Sequence, residues 1–190
     1  MAQARHSTLE KCREVIALRR TILEQSLEQI VTTGQAMAQA FANGATLFAF
    51  GNGGSTTDAQ DLMADLLNGV RPLPAMALTN DIAVITAVGN DVGFDNVFSR
   101  QIIAFGRPGD IAFGISTSGN STNMLAAFKQ AKKQALLTVG LAGYDGGDMA
   151  RSQAVDHCLV VPSSNIPRIQ EAQATIYHAL IEVVQAIVGD

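Results

Sequence analysis

The sequence predicts an α/β fold in which a parallel sheet is covered by helices, and three observations carry that expectation. Beyond residue 46, short apolar runs alternate with helical patterns, the order from which parallel sheets are wound. Turn residues punctuate the alternation without any linker: Asn43-Gly44 ends a helix, Arg71-Pro-Leu-Pro74 separates two units, and Arg107-Pro-Gly109 opens the central strand. With 190 residues and 47% hydrophobic side chains, the chain can bury one sizeable core and reads as one domain over 1–190.

In chain order, residues 8–33 place Leu9, Cys12, Ile16, Leu23, Leu27 and Ile30 at spacings of three, four or seven, which predicts a long amphipathic helix. A second helix is predicted from Gln35 to Ala42. Their apolar stripe exceeds what one sheet face covers, so the N-terminal helices, about 8–43, are expected to pack between copies of the chain. Five strands follow at 46–50, 74–79, 111–115, 136–141 and 157–161, with helices at 57–68, 81–88, 123–133, 147–152 and 166–188.

A formal charge of −4 without a basic cluster argues against nucleic-acid binding, which needs several Lys or Arg together. The start Met-Ala-Gln-Ala-Arg-His carries no apolar signal core, and no apolar run reaches membrane length. Two widely separated cysteines, Cys12 and Cys158, fit reduced thiols in a cytoplasmic protein better than a disulfide framework.

Two strand exits carry chemistry. Asp110-Ile-Ala-Phe-Gly-Ile115 runs into Ser116-Thr-Ser-Gly-Asn-Ser-Thr-Asn123, and Thr46-Leu-Phe-Ala-Phe50 runs into Gly51-Asn-Gly-Gly-Ser-Thr-Thr57, each just ahead of a helix. Hydroxyls and backbone N–H groups at a helix start hold a phosphate monoester without Lys or Arg. Taken alone, Gly51-Asn-Gly-Gly54 also reads as a tight turn with Ser55 as the cap. The hydroxyls of the second loop, in contrast, exceed what a cap requires. The first loop has Thr56 where a dinucleotide fingerprint needs glycine, and Arg71-Pro72 where it needs an acid. No Gly-Lys-Ser/Thr tripeptide occurs, so no nucleotide cofactor is expected. Ligands of open α/β sheets sit beyond the carboxyl ends of the strands, and the two loops are expected to share one anion.

Phe50-Gly-Asn-Gly-Gly-Ser55, Val88-Gly-Asn-Asp91 with Gly93-Phe94, Phe98-Ser-Arg-Gln101, Gly114-Ile-Ser-Thr-Ser-Gly-Asn-Ser121, Gly143-Tyr-Asp-Gly-Gly147 and Arg168-Ile-Gln-Glu171 together resemble the sugar-isomerase (SIS) family, in particular its phosphoheptose isomerases. The resemblance spans nearly the whole chain in order. It implies a three-layer SIS fold with a five-stranded parallel sheet, assembled as a homotetramer with sites between subunits. The implied reaction takes sedoheptulose 7-phosphate to D-glycero-D-manno-heptose 7-phosphate for bacterial surface polysaccharides, lipopolysaccharide precursors among them. Ser55, Ser116, Thr117, Ser118 and Ser121 match the family's phosphate cradle, and Asn52, Gly53 and Asp91 match positions lining the sugar. Gln170 and His178 match a late-helix pair, both metal ligands in zinc-binding members, with the histidine as general acid. The chain departs from the family in the helix after the first loop. There Asp65 stands at the position of the general base, one methylene shorter, and Asp61 replaces a zinc-ligand histidine. Pro167 replaces an acidic residue.

An aldose–ketose interconversion moves a proton between C1 and C2 through an enediol and so needs a base and an acid. Asp61 and Asp65, four apart, share one helix face. Their repulsion can raise one pKa, they can attract a cation, or they can be two solvated carboxylates near a helix start. By resemblance, Asp61, Asp65, Gln170 and His178 would hold one divalent metal, zinc in the family. Gln170 and His178 are separated by about 12 Å along a straight helix, and the set is richer in oxygen than a tight zinc site. His178, in the apolar stretch Ile176-Tyr-His-Ala-Leu-Ile181, also reads as a packed helix residue; His6 and His157 carry no motif. The competing reading is a non-catalytic SIS protein, a phosphosugar sensor or a scaffold like the DnaA initiator-associating protein. An isomerase for another phosphosugar is a further alternative.

Overall fold

The computed structural model describes residues 1–189 and has three layers. Five parallel strands, β1 (Leu47–Gly51), β2 (Ala75–Ala77), β3 (Ile111–Ile115), β4 (Leu137–Gly143) and β5 (His157–Val161), form one sheet in the order β2-β1-β3-β4-β5. The helices are α1 (Ala2–Ala42), α2 (Gly54–Asn68), α3 (Ile82–Asp91), α4 (Ser99–Phe105), α5 (Thr122–Lys133), α6 (Gly147–Arg151) and α7 (Ile166–Gly189), with a 3₁₀ turn at Phe94–Asn96.

Both faces of the sheet are buried because side chains alternate between them. Leu47 and Ala49 of β1, with Ile111, Phe113 and Ile115 of β3, face a core shared with α1, α2 and α7. Phe48 and Phe50, with Ala112, face a second core made by α4 and α5. Buried Asp110 fixes the start of the central strand, its two oxygens accepting from the Thr46 and Arg107 N–H groups at 2.8 and 2.7 Å.

Several element boundaries differ from the sequence reading. The two N-terminal helices are one, because Gly34 does not break the helix: it lets α7 approach, and a Cβ there would lie 2.5 Å from Val183 Cγ1. Close packing compensates the roughly 1 kcal/mol that a mid-helix glycine costs. β2 is shorter than its apolar run, and α4 with the preceding 3₁₀ turn fills 94–105, where no element was predicted. The apolar stripe of α1 is also divided. Ile30 is buried, while Leu9, Ile16, Leu23 and Leu27 are exposed in the single chain.

α2 and α7 run side by side in the same direction at a constant offset. A Cβ on Gly54 would lie 2.1 Å from Gln170 Nε2, the Tyr177 phenol meets Asp61, and a Cβ on Gly69 would lie 2.3 Å from Gln185 Nε2. Each pair is 116 residues apart, so the two helices keep one register from end to end. The glycines at the two ends permit the close approach.

Candidate active site

Strand order places the two loops together. β1 turns to β2 on one side and pairs with β3 on the other, the switch point at which open α/β sheets bind ligands. Gly51 is the register partner of Ile115, so Asn52-Gly53 and Ser116–Ser121 leave the sheet next to each other.

The first loop is shorter than predicted. Gly53, at φ +56°, is the N-cap of α2, and Ser55 is a buried residue of its first turn rather than the cap. A cavity of about 240 Å³ opens beside it, lined by Asn52, Gly53 and Thr56 together with Thr79, Ile82 and Phe94. In the second loop the Ser116 hydroxyl accepts from the Gly119 N–H at 3.1 Å, and the Ser118 hydroxyl accepts from the Asn120 N–H at 3.2 Å. Each keeps its own O–H to donate. Ser121 is the N-cap of α5 but makes no side-chain cap bond, and Thr117 is half-buried, its carbonyl accepting from the Gly143 N–H. Gly119 has φ +66°, and a Cβ there would lie 2.1 Å from the Gly146 carbonyl oxygen. Only glycine fits that turn.

The acidic and imidazole groups meet at the α2–α7 contact. His178 Nε2 lies 3.1 Å from Asp65 Oδ2 and 3.7 Å from Asp61 Oδ2. Its Nδ1 is 2.7 Å from the Ala174 carbonyl; a carbonyl only accepts, so Nδ1 carries the hydrogen and Nε2 is the atom left for exchange. The buried Tyr177 phenol donates to Asp61 Oδ2 at 2.6 Å. Burial, followed by the hydrogen bond to Asp61, raises the phenol pKa further above its usual value. Asp58, one turn before Asp61, is pushed up to about 6 by burial and by the Asp61 charge, and its buried Oδ2 has no hydrogen-bond partner among the described residues.

Two sequence-predicted residues stand apart from this group within the chain. Gln170 rests against Gly54, two helical turns before Asp61 and about 10 Å from it along the axis. Asp91 ends α3, exposed, and accepts from Asn90 Nδ2 at 2.7 Å; among the described residues no hydrogen bond joins it to either loop. The sequence reading also missed Tyr177, Asp58 and Asn123. Asn123 was visible only as a polar residue directly after the Ser/Thr loop, and Tyr177 only as the neighbour of His178.

Asp61, Asp65 and His178 each offer one donor atom, all within 4.8 Å of one another. The Nδ1 bond to Ala174 and the phenol bond to Asp61 are the outer-shell supports that metal-binding imidazoles and carboxylates use. The three residues therefore fit a divalent cation, and two oxygens with one nitrogen favour a harder ion than a thiolate-rich site would.

A family profile described as "SIS domain" matches residues 12–143. The phosphoheptose isomerase of Nitratidesulfovibrio vulgaris is 41% identical over 184 residues, covering 95% of this chain and 88% of that protein. That of Sulfurimonas denitrificans is 50% identical over 145 residues, covering 74% and 73%. Among solved structures, the phosphoheptose isomerase of Neisseria gonorrhoeae superposes with a TM-score of 0.90 at 37% identity, covering 98% of this chain and 100% of that one.

Proposed function

The chain belongs to the SIS-domain family, alongside its phosphoheptose isomerases, and from that membership we propose that it interconverts sedoheptulose 7-phosphate and D-glycero-D-manno-heptose 7-phosphate. The observation that carries the reading is the contact of Asp65 and His178 at 3.1 Å, made where α7 packs on α2, the helix that starts from one of two adjoining hydroxyl- and glycine-lined loops. A scaffold would have no use for such a pair.

In this mechanism Ser55, Ser116, Thr117, Ser118 and Ser121 anchor the phosphate, and Asn52 and Gly53 line the sugar, with Asp91 added by family resemblance. Anchoring the remote phosphate holds the reactive carbons still, which supplies orientation rather than bond-making. Asp65 lies eleven residues, about 16 Å, along α2 from the start of that helix, so in the tetramer it meets a sugar whose phosphate the loops of another subunit hold. Its carboxylate takes the proton bound to carbon, and His178 Nε2 moves a proton at oxygen. Asp61, Asp65 and His178 would hold a divalent cation, with Gln170 added by family resemblance. When bound, such an ion polarises a substrate oxygen.

A homotetramer is part of the proposal, supported by the exposed Leu9, Ile16, Leu23 and Leu27 of α1 and by Ile82, Val92 and Phe94 at the far side of the sheet. Subunit contacts are the simplest cover for two such faces. A cytoplasmic setting and a role in surface-polysaccharide precursors complete it. Both cysteines are free, and burial pushes the Cys158 thiol up to about 11; among the described residues no helix is long and apolar enough to cross a membrane.

The test incubates purified protein with sedoheptulose 7-phosphate and follows heptose formation with chelator and with added Zn²⁺, Mn²⁺ or Mg²⁺. Turnover is expected, and Asp65→Asn should lower it by about a thousandfold. No turnover under any of these conditions would overturn the assignment, and turnover of a pentose or hexose phosphate alone would redirect it.

A further inference from the structure

Asn123, in the first turn of α5, is only 2% exposed. Its Nδ2 donates to Asn52 Oδ1 at 2.9 Å, and Asn52 Nδ2 donates back to Asn123 Oδ1 at 2.8 Å. The two amides thus close a ring between the first loop and the helix that follows the second. Among the described residues these are the only side-chain hydrogen bonds joining the two loop regions.

The loop–helix junction on the α5 side is held from several directions. Asn120 Oδ1 accepts from the Asp148 N–H at 2.8 Å, the Thr122 hydroxyl donates to Asp95, and the Gly119 carbonyl accepts from the Met149 N–H at 2.9 Å. The first loop is held mainly by bonds within itself, Ser55 N–H to the Asn52 carbonyl and the Thr56 hydroxyl to the Gly51 carbonyl. Asn123 is therefore the strut through which the braced region steadies the unbraced one.

A primary amide has one carbonyl oxygen and two N–H donors. The ring engages the carbonyl and one N–H of each residue, and exchanging oxygen and nitrogen in both amides regenerates the same ring. Among the described residues only Asn123 accepts from the amide of half-buried Asn52, which leaves its second N–H to donate elsewhere. A donor there suits a sugar oxygen close to the anchored phosphate.

We propose that Asn123 is a positioning residue that fixes the Asn52 amide as a donor toward the sugar and ties the sugar-facing loop to the phosphate-facing one. The catalytic part of this rests on the isomerase reading, whereas the tie between loops does not. The test compares wild type, Asn123→Ala and the same-shaped Asn123→Asp, which cannot donate to Asn52 Oδ1. Hydrogen–deuterium exchange is read over 51–56 and 116–124 with and without inorganic phosphate, and kcat and KM are measured with sedoheptulose 7-phosphate.

In wild type, phosphate should slow exchange in both segments. In the variants it should slow exchange in 116–124 as before but protect 51–56 less than in wild type, because Ser55 alone then couples that segment to the anion. For Asn123→Ala, kcat should fall about a hundredfold, the scale of a misplacement of about 1 Å, with KM within about threefold. Undiminished protection of 51–56 in both variants, or no protection of either segment in wild type, would overturn the proposal. An increase in KM with unchanged kcat would also overturn it. If wild type proves inert toward the sugar, the isomerase reading fails while the exchange measurement still decides the tie.

Discussion

The two ends of the site are built from opposite materials. The loop end is neutral, made of short hydroxyl side chains and backbone, and its turn at Gly119 is pressed against the Gly146-Gly147 segment. The α2–α7 end is charged, made of side chains about half exposed on two helix flanks, and its distances come from the register of α2 against α7. A group whose charge stays constant can be held by local turn chemistry. Groups that exchange protons need a separation set to within a fraction of an ångström, which packed helices provide.

Breaking either end should therefore give a different signature. On stability the largest effect is expected from Gly119→Ala, which puts a Cβ against a carbonyl oxygen at positive φ. The combined strain and displacement come to about 3 kcal/mol, seen as a thermal midpoint lower by about 10 °C. In steady-state kinetics the same variant should raise KM more than it lowers kcat. Tyr177→Phe acts on the opposite end. Losing the phenol bond to Asp61 should lower kcat about tenfold and leave KM within about twofold, because the phosphate loops are untouched. Equal losses in both constants would show that the two ends are not separable.

The smallest effect sharpens the charged end. The Asp58 carboxyl stands at about 6 in the folded chain against a reference of 3.8. Between those values the folded state binds more protons than the unfolded one, so stability falls as pH rises, and the cost is complete above the folded value. Solvent still reaches the group, so the effect is discounted to about 1 kcal/mol. Asp58→Asn should therefore be stabilising by about that amount near pH 8 and neutral near pH 3.5, as read from urea unfolding at the two pH values.

The legible parts of this molecule are those whose cause lies within a few residues. Apolar runs of strand length announced all five strands, and the Ser116–Ser121 loop announced itself because hydroxyls cluster there beyond capping needs. Asp61 and Asp65 were legible as one helix face. Gly34 misled because its reason, the side chain of Val183, is 149 positions away in the chain. The α4 segment was missed because Ser99–Phe105 is a short helix, seven residues long, whose helical state depends on packing. Tyr177 and Asn123 carry no local pattern at all, since their partners lie 116 and 71 residues away.

From the chain alone came the parallel architecture, the hydroxyl- and glycine-rich loops at two strand exits and the shared helix face of Asp61 and Asp65, because propensity, periodicity and turn chemistry act over one or two helical turns. Only the folded arrangement decided that Asp65 meets His178 while Gln170 stays two turns behind, and that Asn52 is tied to Asn123. Those outcomes depend on how α2 slides along α7 and on which strands become neighbours. Both are settled by burial summed over whole helix and sheet faces, to which residues distant in the sequence contribute together.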